Sequence, residues 1–232
     1  MRLTSVPSPP AASAASAAAP LDATAEKLIE AAGQVFAGVG FQAATVRDIC
    51  GKAGANVAAV NYHFGDKVGL YLAVLSSSFC MREHELAREA LSIGGAPEER
   101  FRHFVRMFCQ RMFDPERPSW YMKIIAHELA QPTPALGQVV GEVILPNYQR
   151  LCALIGELIG RPALDDATRR CVHSVMGQIM HYSQGRAVIA HLWPRLEFTP
   201  KRIDELAEHI AAFSLAGFAA SAKKPAKKRK TQ

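Results

Sequence analysis

Residues 45–67 read TVRDICGKAGANVAAVNYHFGDK, and their punctuation decides the fold. Thr45 is followed three residues later by Asp48, an acidic variant of the reciprocal cap that opens a helix. Gly54 stops that helix, because glycine enters left-handed backbone without steric cost. Asn56 then offers a side-chain oxygen to the free amides of a second short helix, expected to run to about Phe64. Two short helices meeting at Gly54-Ala55-Asn56 have helix-turn-helix spacing. In such a unit the first helix supports, and the second enters the DNA major groove by its N-terminal end. Ile49, Ala53 and Val60 are spaced to form the small core that sets the crossing. Ala58, Ala59 and Asn61 are then expected to face outward. Small residues let the backbone approach base edges, and the Asn61 amide can bond a base edge or a phosphate.

Outward from this stretch the pattern stays helical. Leu28, Ala32, Val35, Phe36 and Val39 recur at three- and four-residue steps, as do Phe101, Phe104, Val105, Phe108 and Met112. Val140, Ile144, Leu151, Leu154, Ile155 and Leu158 form a third such set, and Ile203, Leu206, Ile210 and Phe213 a fourth. Each puts one apolar stripe on one side of a helix. Alternation bounded by tight-turn residues is absent, so the expected class is all-α, with about nine helices. Asp22 or Thr24 caps the first, which Gly38 and Gly40 stop. A long helix starts near Lys67 and is expected to reach about Leu91. Pro97 suits a first helical position. Pro115, Pro118, Pro132 and Pro134 divide the middle, and Pro146 is expected to kink or break a helix spanning about Ala135 to Ile159. A single helix from about Asp165 to Leu192 follows. Thr199-Pro200 opens the last one, to about Phe218. The expected organisation is a disordered Ala/Ser/Pro-rich lead (1–22), a helix-turn-helix domain (23–69), a larger helical domain (70–218) and a disordered basic tail (219–232).

The 232 residues carry 27 Lys plus Arg against 21 Asp plus Glu. Lys223, Lys224, Lys227, Lys228, Arg229 and Lys230 account for the whole net charge of +6, so the basic character belongs to the tail. Thr24 to Gly69 balances Lys27, Arg47, Lys52 and Lys67 against Glu26, Glu30, Asp48 and Asp66. Non-specific phosphate attraction from that segment alone is therefore modest, and the tail is a candidate to supplement it. No apolar run approaches a membrane span. The lead lacks the apolar region of an export signal. The five cysteines are scattered without a CxxC pair, which points away from zinc ribbons and towards a reducing cytoplasm. His127-Glu128 lacks the second histidine of a zinc protease helix, and neither a dinucleotide fingerprint nor a nucleophile elbow occurs. The expectation is a protein that is not an enzyme and needs no metal or cofactor.

The stretches AAGQVFAGVGFQAATVRDIC and AGANVAAVNYHFGDKVGLYLAVL resemble the DNA-binding domain of TetR-type transcriptional regulators over about fifty residues. Tyr62-His63-Phe64 and the following Lys67 are the most specific marks. HELAQPTPAL and SVMGQIMHYSQGR are similar to the subfamily with a CecR-like C-terminal domain. The resemblance implies phosphate contacts for Thr45 and Lys67, and a phosphate or base contact for Arg47. It places Val57, Ala58, Ala59 and Asn61 on the recognition helix, and implies backbone contacts for Tyr62 and His63. At Asn61 the chain departs from the family, which often carries an aromatic residue there. It also implies a homodimer that binds a palindromic operator on double-stranded DNA, usually as a repressor, with a small-molecule effector that releases it. Met107, Arg111, Trp120, His127, Met176, Met180 and His181 are the candidate effector residues: methionine and tryptophan as adaptable walls, Arg111 or His127 to orient a polar group. Glu128 either sets the charge of His127 or ties two helices together. The competing reading is a sequence-tolerant architectural DNA binder that depends on the tail, with a steep salt slope and no preferred site.

Overall fold

Asp22 opens the first helix, its Oδ1 accepting from the amides of Thr24 and Ala25 at 2.9 Å each. That helix begins the computed structural model, which describes residues 22–79 and 94–222. Among these residues the chain is helical throughout: eleven α-helices and one π-helical segment, with no strand. We number them α1 (Ala23–Ala43), α2 (Val46–Ala53), α3 (Val57–Phe64), α4 (Lys67–Phe79), α5 (Pro97–Met112), α6 (Tyr121–Ala130), α7 (Ala135–Val139), the π segment (Val140–Ile144), α8 (Leu145–Ile159), α9 (Asp166–Gln184), α10 (Arg186–Leu192) and α11 (Pro200–Ser221). The expected lead up to residue 21, the stretch from Cys80 to Leu91 and the tail from residue 223 lie outside the described residues.

The count exceeds the expected nine for two local reasons. Gly185 divides the helix expected from Asp165 to Leu192 into α9 and α10. Its amide donates to the His181 carbonyl at 2.8 Å, and a Cβ there would sit 2.5 Å from that same oxygen. Only glycine accepts this turn. Pro146 coincides with an interruption of the regular α register in the middle helix rather than with an end of the helical path. It stands at the start of α8, directly after the π segment, whose wider turn passes the Leu145 amide to the Val140 carbonyl. The proline lacks an amide proton and its ring crowds the preceding turn, so a widened register upstream accommodates it. The first helix also differs: Gly40 takes φ 79° and ψ 165°, yet one further turn follows to Ala43.

Two apolar cores form. The first joins α1–α4 to α6 and α7 through Leu28, Phe36, Ile49, Val60, Leu70, Tyr71, Trp120, Ile124 and Val139. The second fills the space between α5, α8, α9 and α11 with Phe101, Val105, Ile155, Val175, Ile179 and Ile210. Met122 and Met180 pack against both. The helix-turn-helix region therefore shares a core with part of the following helices. Close approach makes this possible at Gly33, where a Cβ would lie 2.5 Å from the Trp120 indole.

Candidate nucleic-acid interface

The caps expected from sequence set the two short helices. Thr45 Oγ1 accepts from the Asp48 amide at 3.1 Å and donates to Asp48 Oδ2 at 2.6 Å. Gly54 ends α2 in left-handed backbone at φ 62° and ψ 33°. Asn56 Oδ1 accepts from the Ala58 amide at 3.0 Å and opens α3. Ile49 and Val60 are fully buried, with Ala53 packed at the edge, so the crossing of α2 and α3 is held from beneath.

That leaves the outer face of α3 uncommitted. Val57, Ala58 and Asn61 are exposed, and Tyr62 is 84% exposed. A tyrosine with so much ring in water has given up the burial that normally stabilises it, which fits a ring reserved for a partner. Ala59 is a correction: it does not face outward but packs half-buried against the first core. Arg47 is exposed on α2.

Two of the candidate contacts carry structural duties as well. The half-buried His63 holds Nε2 3.4 Å from Asp22 Oδ2, joining α3 to the cap of α1. Lys67 donates from Nζ to the Gln42 carbonyl at 3.3 Å and lies 4.6 Å over the Phe41 ring. It thus fastens the start of α4 to the end of α1. Thr45 is likewise engaged as a cap. Asp66 caps α4, accepting the Gly69 amide at 2.8 Å. Gly69 is a residue that sequence reasoning passed over. A Cβ there would fall 1.9 Å from the Phe64 carbonyl, so glycine is required where α4 leaves α3.

The candidate effector residues fall in several places. Trp120 is buried against α1, while Met107, Met176 and Met180 are half-buried around the second core. Arg111 pairs with Asp114 at 3.2 Å. His127 and His181 are exposed, and His127 lies beside Gly40. Glu128 ties two helices together: it is 1% exposed and accepts from the Tyr71 hydroxyl on α4 at 2.7 Å. It also accepts from the Thr133 amide at 3.1 Å. Burial first, then Glu128, pushes the Tyr71 phenol well above its ordinary value, so the hydroxyl stays a donor. Among the described residues no group of three or more His, Cys, Asp or Glu gathers as a metal site would require. Nor is any described helix long and apolar enough to cross a membrane.

Comparison with known proteins agrees with this geometry. Residues 28–74 match the bacterial regulatory proteins of the tetR family. Residues 97–218 match the C-terminal domain of the HTH-type transcriptional dual regulator CecR. The chain is 31% identical over 173 residues to the transcriptional dual regulator CecR of Shigella flexneri, covering 71% of this chain and 77% of that protein. Among solved structures it shares its fold with the fatty acid degradation regulator FadR of Bacillus halodurans, at a TM-score of 0.62 and 17% identity. That match covers 86% of this chain and 98% of the other. FadR of Bacillus subtilis, solved with stearoyl-CoA, gives a TM-score of 0.60 at 17% identity and covers 83% and 98%. The chain belongs to the TetR family of DNA-binding transcriptional regulators, in the branch with a CecR-type C-terminal domain.

Proposed function

We propose that the protein is a homodimeric, sequence-specific repressor that leaves a palindromic operator when a small molecule binds its larger domain. It acts in the cytoplasm and carries out no catalysis. The observation that carries the reading is the bare outer face of α3. Val57, Ala58, Asn61 and Tyr62 lie exposed there while Val60 anchors the helix from behind. Asn61 reads a base edge or phosphate, Tyr62 and His63 meet the sugar-phosphate backbone, and Arg47, Thr45 and Lys67 flank them at helix starts, where free amides favour anions.

The dimer is supported by the outer faces of α9 and α11. On α11 Ala212, Phe213, Ala216, Gly217 and Ala220 are exposed together, Phe213 to 64%. On α9 His173, Gly177 and His181 are exposed. The apolar and small-residue face of α11, with Gly177 flanked by two histidines on α9, suits close helix packing against a twin. Two-fold symmetry then sets the recognition helices one DNA turn apart, about 34–36 Å. The effector is expected among the middle helices, where Met107, Met176 and Met180 around the second core supply adaptable apolar wall. The complex of stearoyl-CoA with Bacillus subtilis FadR is in keeping with a ligand in a domain of this fold. Release follows as a population shift, the ligand favouring a spacing of the two heads that no longer fits the operator.

The test is retention of genomic fragments by the purified chain at physiological salt, with and without residues 223–232. A few palindromic sites recovered by both forms support the proposal. Uniform retention that vanishes with the tail would replace it with the architectural reading. For a recovered site, Asn61→Ala is expected to cost about 1–3 kcal/mol of binding at one base position and to leave folding intact. An Asn61→Ala protein with unchanged affinity and site preference would remove Asn61 from the reading face.

A further inference from the structure

Away from the reading helices, a cavity of about 520 Å3 opens between the end of α9, the segment joining α10 to α11, and the first half of α11. That volume is in the range of small-molecule sites. Its walls are aromatic and aliphatic: Tyr182 and Leu196 half-buried, Trp193 53% exposed, and Leu206 buried at the floor. The polar groups lining it are the Arg195 and Arg202 guanidiniums, the Glu205 carboxylate and the His209 imidazole. Arg202 Nη1 already sits 2.6 Å from Glu205 Oε2. Arg195 makes no ion pair among the described residues, and its guanidinium is the uncommitted cation of the cavity.

We propose that this cavity binds a small aromatic carboxylate. Its ring lies against the Trp193 indole and Tyr182 above Leu206, and its carboxylate takes the paired donors of Arg195. The chemistry follows from what each part leaves unsatisfied. An indole half in water gains by stacking against a second aromatic face. A guanidinium without a carboxylate presents a planar fork that matches one. The local surplus of positive charge selects an anion over a cation or a neutral ring. The site is separate from the middle-helix residues and goes beyond the repressor reading, because binding there does not depend on DNA.

The experiment uses the full chain and 1-naphthoate, followed by titration calorimetry and by tryptophan fluorescence. Saturable binding with one site per chain is expected, with quenching that Trp193→Phe abolishes while Trp120 remains. Arg195→Gln, at an exposed position, is expected to weaken 1-naphthoate about tenfold or more. It leaves 1-naphthalenemethanol, which has the same ring system without the charge, bound equally by both proteins. Absence of saturation up to about 1 mM overturns the proposal. So does equal affinity of the Arg195→Gln protein for 1-naphthoate. A third outcome also overturns it: no binding, with Arg195→Gln or Trp193→Phe instead shifting the monomer–dimer equilibrium in sedimentation. That would make the cavity part of the seam between copies.

Discussion

Tyr71 and Glu128 show how one hydrogen bond ties α4 to α6. The Glu128 carboxyl is held by a hydroxyl and an amide rather than by a cation. Removing the Tyr71 oxygen leaves a buried acceptor short of a donor, while Phe36 still meets the ring edge-on and Phe41 at a tilt. Tyr71→Phe is expected to cost about 1–3 kcal/mol of stability at neutral pH, read from urea denaturation. A cost near zero would show that the bond contributes nothing net. Alkaline pH probes the same burial. Burial raises the Tyr71 phenol, pushes the Cys109 thiol up to about 12, and raises Cys50, Cys152 and Tyr148. The unfolded chain releases these protons near their ordinary values, whereas the native chain keeps them. The native state therefore binds more protons above about pH 9, and stability is expected to be full below that and to fall as pH rises. A urea midpoint that rises between about pH 9 and 11 would contradict this assignment.

At the scale of elements, glycines set how closely helices approach. Gly33 admits the Trp120 indole against α1, and its Cβ would meet three ring atoms at 2.5–2.7 Å. Gly38, five residues on in the same helix, faces open space. Gly33→Ala is expected to cost about 1–3 kcal/mol by forcing α6 away from α1. Gly38→Ala is expected to stabilise by up to about 1 kcal/mol, since alanine loses less chain entropy in a helix. Thermal melts of the two variants measure both signs, and equal melting temperatures would refute the close approach. The caps at this scale were legible in the sequence, because Thr45, Gly54, Asn56 and Thr199 act on amides and carbonyls within a few residues. The division at Gly185 was not. Glycine within a helical pattern is tolerated or breaks it according to what lies nearby, and here the His181 carbonyl decided.

For the whole molecule, the two cores meet at Met122 on α6 and Met180 on α9, so the packing of α9 is continuous with that of α6, α1 and α4. Such continuity matters only if two copies hold their heads at a defined spacing. Phe213→Lys places a charge at the centre of the proposed seam, and Phe213 is exposed, so the single chain should fold unchanged. The variant is expected to sediment as a monomer at micromolar concentration. It should lose affinity for a full palindrome by far more than for one half-site. A Phe213→Lys protein that remains a dimer would move the seam elsewhere.

The sequence by itself determined the all-α class, the start and stop of the reading helices, and the family. These depend on periodicity and on caps whose partners are a few residues away. The tertiary structure alone decided that Ala59 turns inward and Tyr62 outward, and that Pro146 follows a π turn. It also decided that His63 reaches Asp22, that Lys67 reaches Phe41, and that Glu128 serves Tyr71 rather than its neighbour His127. Each of these outcomes depends on which helices pack together and how closely. Local spacing carries no information about a partner that only packing brings within reach.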